Sequence, residues 1–313
     1  MHTDTFTLAV GLAKRGSAGL PPIIKATYAF EVIWAVAAAL LFLWILCRLT
    51  ILPIKATPRG PYVLLAFTSL CAAIAFVLSA VPFEVNMPTD VYLKTMMSSA
   101  FICDVSRALG PAVILWLLHI RGQVFGNSKP GYTSSNSARI WKRGVDWSFV
   151  AITFIALISF HAYNLAKNLE LVYHGINYET YLEYQKIMTR MRHATTALIF
   201  LLAINITGAV LLLRVTQKRA KYSDPVVTRL SVAAVPFVLL AAVVWLIFDI
   251  VHAVARIYNQ EGNISFVILD GLAQVGTLTA IASTIGLHKQ TQTHLSDSSS
   301  NLVRPSSAPN QEI

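Results

Sequence analysis

Polar side chains that could do chemistry stand inside otherwise apolar stretches of the chain, among them Glu31, Asp104, Arg107, His161, Asp249, His252, Asp270 and Gln274. An ionised Asp or Arg at the centre of a membrane-crossing helix costs about 2.5–3.5 kcal/mol, so Asp104, Arg107, Asp249 and Asp270 facing lipid would together cost on the order of 10 kcal/mol. They are therefore expected to face one another in the interior of a bundle. Helical spacing supports common faces for Asp104 with Arg107, for Asp249 with His252 and Arg256, and for Asp270 with Gln274. Four chemistries fit such a set. A structural network would pair Arg107 with Asp104, Asp249 or Asp270 and let the histidines bond across helices. A water-filled pocket would use the same Arg and carboxylates to orient a small ligand. A proton-coupled transporter would use the acids and histidines as a relay, since imidazole titrates near neutral pH, and a lipid-handling membrane protein is a further alternative. A membrane-embedded zinc hydrolase would need His161, His252, Asp249 and Asp270 to converge, but no His-x-x-x-His or His-Glu-x-x-His spacing occurs. No catalytic residue, metal or cofactor is expected.

The stretches that must position these groups define the class. Of 313 residues, 55% are hydrophobic and 13% charged, and the mean hydropathy is +0.59. Soluble domains carry about 25% charged residues. Seven apolar runs are each long enough to span a bilayer as a helix: 27–49, 62–83, 95–120, 147–166, 194–213, 230–255 and 264–287. No ten-residue strand alternation appears, and an open sheet cannot sit in lipid. Pro111 and Pro236 fall within spans three and six, where a kink is tolerated. The expected fold is an all-α membrane protein, a seven-transmembrane helix bundle. Its divisions are a short extracellular tail (1–26), the bundle (27–287) and a disordered Ser- and Pro-rich cytosolic tail (288–313).

A net charge of +10 invites a nucleic-acid reading, but the cations lie in short loops between apolar runs and no nucleic-acid partner is expected. Counting Lys and Arg in alternate loops gives 15 on one side and nine on the other. Positive charge favours the cytosolic side, which puts the amino terminus outside and the carboxyl terminus in the cytosol. Span six then leaves the membrane near Arg256, with Asp249 roughly 10 Å below the outer surface; Asp270 lies roughly 9 Å below it on span seven. Glu31, Asp104 and His161 fall at a similar depth, with Arg107 somewhat deeper, so five spans direct polar groups at one outer-half level.

The longest outer loop, 167–193, holds Tyr173, Tyr178, Tyr181 and Tyr184. It reads either as an interfacial aromatic belt or short surface helix, or as a lid over an outward-facing pocket. Asn263-Ile-Ser265 matches a glycosylation acceptor on the outer side, hard against span seven; Asn205-Ile-Thr207 matches too but lies within a span. Cys47, Cys71 and Cys103 sit within or at the ends of apolar runs, so no extracellular disulfide is expected, and Cys47 beside Arg48 is a candidate for palmitoylation.

Seven spans with an outer amino terminus look like the G-protein-coupled receptor layout, but that family's motifs are missing. Span three ends LLHIRG (Leu117–Gly122), and span seven, VGTLTAIAST, lacks Asn-Pro-x-x-Tyr and any lysine for a retinal Schiff base. The segments ALGPAVILWLLHIRG (Ala108–Gly122) and RLSVAAVPFVLLAAVVWLIFDIVHAVARIY (Arg229–Tyr258), with the EGNIS turn before span seven, resemble uncharacterised fungal seven-helix integral membrane proteins. That resemblance implies membrane residence and the seven-helix layout, and it brings no activity with it. The expected function is receptor-like sensing of a small ligand in the outer-half polar pocket, in the plasma membrane or an endomembrane. Its expected partners are the lipid bilayer, the small molecule and a cytosolic signalling protein at the basic inner loops 121–143 and 214–229.

Overall fold

The computed structural model describes residues 21–51, 59–85, 87–128, 140–174, 177–251 and 260–287. Among the described residues there is no strand, and seven helices are long and apolar enough to cross a membrane. They are α1 (Pro22–Ile51), α2 (Arg59–Glu84), α3 (Thr89–Ser128), α4 (Ile140–His174), α5 (Tyr178–Arg219), α6 (Pro225–Ile250) and α7 (Gln260–Ala282). Each helix packs on the next and α7 returns to α1, which closes a ring. Helix α3 also touches α5 and α7, so it runs through the middle. Its apolar stretch is 61% buried, against 22% for α1 and α4.

The bundle is apolar outside as well as inside. Ile33, Val36, Leu40, Leu43, Ile152, Ile155, Leu201, Leu212 and Ile247 are all exposed. So broad an apolar surface would drive association in water, whereas hydrocarbon solvates it. With seven spans of this composition, the protein is a multi-pass integral membrane protein.

Local chemistry fixes the helix ends. Asn177 caps α5, its Oδ1 accepting the Thr180 backbone N–H at 2.8 Å. Asp224 caps α6, accepting the Val226 N–H at 2.9 Å, with Pro225 in the first turn where its missing N–H is harmless. Between them Lys221 takes a left-handed φ of 53°, and Tyr222 N–H returns to Gln217 C=O at 2.9 Å to close α5. Within α6, residues Leu230–Ala234 form one wide π turn immediately before Pro236. Proline cannot donate to the carbonyl four residues back and its ring crowds that carbonyl, so the wider turn accommodates it.

Two expectations need correction. The 167–193 segment is no loop: α4 continues to His174 and α5 begins at Tyr178, so the tyrosines stand on a helical hairpin. A lid requires a free loop, whereas nearly all the described residues of this segment are helical. Helices α3 and α5 have 40 and 42 residues, or about 60 Å each, twice a hydrocarbon core. Helix α1 also starts earlier than expected, at Pro22, inside the segment assigned to the tail.

Side-chain pairs identify which termini meet. Tyr62 at the start of α2 lies 3.0 Å from Thr284 just after α7, and Arg121 near the end of α3 bonds Asp224 at the start of α6; this is the Asp224 end. At the other, the Asp249 end, Tyr173 of α4 bonds Asp90 of α3, and Arg192 of α5 bonds Asp249 of α6.

Candidate functional site

Arg107 is the hub of the polar centre. Its Nε donates to Asp270 Oδ1 at 3.2 Å, its Nη2 to Asp270 Oδ2 and its Nη1 to Asp104 Oδ1. Asp104 stands one turn earlier on α3, so the helix itself presents this pair, whereas Asp270 arrives from α7. His161 of α4 places Nε2 2.8 Å from Asp104 Oδ2. Its ring meets Phe101 and Phe160 edge-on, at centroid distances of 5.6 and 5.0 Å, and its Nδ1 is buried without a partner. Trp245 of α6 donates its indole N–H to Asp270 Oδ1 at 3.0 Å and lays its ring 4.6 Å from the Arg107 guanidinium carbon.

Gln274, one turn beyond Asp270, donates to Ser106 Oγ at 2.9 Å, and Ser106 donates to the Thr68 carbonyl at 3.1 Å. The Gln274 carbonyl oxygen accepts only the Cys103 thiol, at 3.5 Å. Glu31 of α1 is buried against the same centre, near enough to Asp270 and Arg107 to feel their charges. Ser79 of α2 stands near its carboxyl, and Glu31 Oε2 is buried with no hydrogen-bond partner among the described residues. Gly271 holds this corner closed, because a Cβ there would run into the Trp34 indole. Glu31, Asp104, Arg107, His161, Asp270 and Gln274 thus come together as one centre.

Asp249 does not join it. Its Oδ1 accepts from Arg192 Nε at 2.7 Å and its Oδ2 pairs with His193 Nδ1, so it belongs to an α5–α6 cluster nearer the end of the bundle. Asp249 was one of three candidate partners for Arg107; α6 turns it toward α5 instead. His252 lies outside the described residues, as does the side chain of Asn263. Among the described residues no group of three or more His, Cys, Asp or Glu is placed to hold a metal ion. All three cysteines are free; Cys47 is exposed at the end of α1, and Cys71 and Cys103 are buried.

A cleft opens beside the centre, between α3, α5, α6 and α7. It has about 50 Å³ in which the centre of a water molecule fits. Its polar wall is Arg107, Asp270, Gln274 and Trp245; Pro111, Ile199, Ala203 and Val238 are among its apolar walls. Sequence reasoning missed Trp245 because its neighbours on α6 are uniformly apolar. It missed Arg192 and His193 because they were assigned to a loop. Their position just before span five was the available signal.

The Asp224 end carries a second buried set. Arg121 grips Asp224 with Nε and Nη2, both at 2.9 Å, and the two residues are 3% and 1% exposed. His119 Nε2 lies 3.0 Å from Asp146 Oδ2; Lys142 and Asn205 bond the other oxygen. Arg121 and Lys142, counted among loop cations, are therefore helix residues with buried acid partners, and Asn205 is part of the same network. Burial, and then the nearby Asp224 charge, push the Tyr222 phenol above its ordinary value. The described acids at this end are both paired, whereas Lys218, Arg219, Lys221 and Arg229 are exposed.

Comparisons with protein-family models, with curated proteins and with solved structures give no match.

Proposed function

We propose that this multi-pass membrane protein is receptor-like and takes a small, mainly apolar ligand into the cleft between α3, α5, α6 and α7. The observation that carries this reading is the cleft itself, where a compact apolar wall meets Arg107, Asp270, Gln274 and Trp245 held in fixed geometry. Binding sites of this type join an apolar body to a few convergent polar groups. The ion pairs pre-organise that wall, because moving any one member would leave a buried charge unpaired.

Helix α6 supplies a route for a response. It lines the cleft with Val238, Ala241, Ala242 and Trp245, passes through Pro236 and the π turn, and ends on Asp224. A ligand that favours one packing of α6 over another would shift the population at the Asp224 end. In this reading the Asp224 end is cytosolic, as the excess of Lys and Arg there supports. Its exposed Lys218, Arg219, Lys221 and Arg229 then face a signalling partner and anionic lipid. The Asp249 end faces the outside or an organelle lumen.

The test is a small-molecule screen by thermal shift on the purified protein in lipid nanodiscs, followed by Ala241→Leu. A ligand at 100 times its Kd stabilises the folded state by about 2.7 kcal/mol. Ala241 is half-buried on the cleft wall, so a leucine there fills the space without touching the ion pairs. Hits on the wild type should lose their shift in Ala241→Leu, with the unliganded melting temperature little changed. Hits that stabilise both proteins equally would place the ligand elsewhere.

A further inference from the structure

We infer that the cleft selects a protonated amine on a compact apolar body and rejects a carboxylate of the same shape. This inference rests on the cleft being the ligand site and adds the chemistry of the ligand's head group.

Charge is the first ground. Arg107 is the fixed cation of the centre, and it faces Asp104 and Asp270 directly, with Glu31 close by. Three carboxyl groups, those of Glu31, Asp104 and Asp270, thus surround one guanidinium, with the His161 imidazole on the far oxygen of Asp104. A carboxyl-rich centre draws an arriving cation and repels an arriving carboxylate in a medium that screens charge poorly.

Hydrogen-bonding capacity is the second ground. Arg107 already spends Nε, Nη1 and Nη2 on the two aspartates, and the Trp245 ring lies against the guanidinium. Little of the guanidinium remains for an anion. Acceptors, by contrast, are to spare. Asp270 Oδ2 takes one bond, from Arg107, and the Gln274 carbonyl oxygen takes only a long thiol contact among the described residues, so both residues bring unused acceptor capacity to the cleft they line. Gln274 is itself buried and cannot satisfy that oxygen in water. An ammonium group offers three donors and no acceptor, which is the complement of this wall. The rest of the cleft, from Gly110 and Pro111 across to Ala203, Val238 and Leu278, is a small apolar lining that calls for a compact apolar body.

Three cyclohexyl probes test this directly: cyclohexylamine, cyclohexanol and cyclohexanecarboxylate, titrated against the wild-type protein in nanodiscs of zwitterionic lipid. Melting temperature and tryptophan fluorescence are followed, with Trp245→Phe as the fluorescence control. The amine should bind about tenfold tighter than the alcohol, the gap between a charge-assisted and a neutral hydrogen bond, and the carboxylate should not shift the melting temperature. Asp270→Asn should erase the preference for amine over alcohol. If the carboxylate or the alcohol binds at least as well as the amine, the head-group assignment is wrong while the cleft stands as a ligand site. If none of the three shifts the wild-type protein and the wider screen also fails, the cleft reading itself is lost. The probe ranking needs only the wild type, so poor folding of Asp270→Asn would not remove the test.

Discussion

Asp249 and Asp270 look equivalent in the sequence, each an acid some six or seven residues inside an apolar run beside the same turn. Their surroundings separate them. Asp270 holds Arg107, whose side chain is 12% exposed, whereas Asp249 holds Arg192 and His193, which are 32% and 42% exposed. Losing Asp270 leaves a guanidinium buried with one acid in place of two. Losing Asp249 leaves Arg192 and His193, which reach water by rotating their side chains. Asp270→Asn is therefore expected to cost about 3–5 kcal/mol, in the range for breaking a buried pair, and to abolish selection of the amine. Asp249→Asn should cost about 1 kcal/mol, as for a partly exposed pair, and leave ligand binding intact. Thermal melts with the three cyclohexyl probes check both, and equal loss of binding in the two variants would return Asp249 to the site.

At the scale of elements, the site depends on how closely α7 approaches its neighbours. Gly271 admits the Trp34 indole from α1, and Gly276 admits the Phe237 ring from α6. A methyl group at position 271 would have to displace a rigid indole beside Glu31 and Asp270. Gly271→Ala should destabilise the fold by about 1–3 kcal/mol through overpacking, and Trp34→Phe in the same protein should recover part of the loss. A melting temperature unchanged by Gly271→Ala would mean that α1 and α7 do not pack this closely. The α4–α5 hairpin teaches the opposite lesson about reading elements from hydropathy. Lys167, Glu170, Glu183, Lys186 and Arg190 end the apolar signal without ending the helices, since Lys, Glu and Arg are all good helix formers. Hydropathy reports where lipid stops, and helix propensity carries the rod onward into water.

Across the whole molecule, charge is polarised along the bundle. Among the described residues, the Asp224 end exposes Lys218, Arg219, Lys221 and Arg229 with no exposed acid, while the Asp249 end exposes Glu84, Glu179 and Glu183 alongside Lys94, Lys186 and Arg190. If the Asp224 end is cytosolic, a cysteine placed between Lys129 and Ser137, in a Cys47→Ser background, should resist an impermeant thiol reagent on sealed right-side-out cells or vesicles. It should label fully after permeabilisation. Labelling before permeabilisation would invert the orientation. The arrangement also explains why removing single loop cations would say little about topology: Arg121 and Lys142 are held by Asp224 and Asp146 and belong to the fold.

What the sequence by itself determined is the set of properties that accumulate along a local run of chain. Seven apolar stretches gave seven membrane-crossing helices, and counting residues along a helix placed Asp104, Arg107, His161 and Asp270 near one depth. Spacing on α3 also made Asp104 and Arg107 neighbours. Only the tertiary structure decided which groups at that depth meet. On α6, Trp245 turns toward Asp270 of α7, while Asp249, one turn further on, turns toward Arg192 and His193 of α5. Depth follows from a rise of about 1.5 Å per residue, but the direction a side chain takes around the bundle is set by how whole helix faces pack. No local count of residues contains that rotation. The same limit hid the cleft, whose Ala203, Ala241 and Ala242 are ordinary small residues until α5 and α6 are placed beside the Arg107 centre.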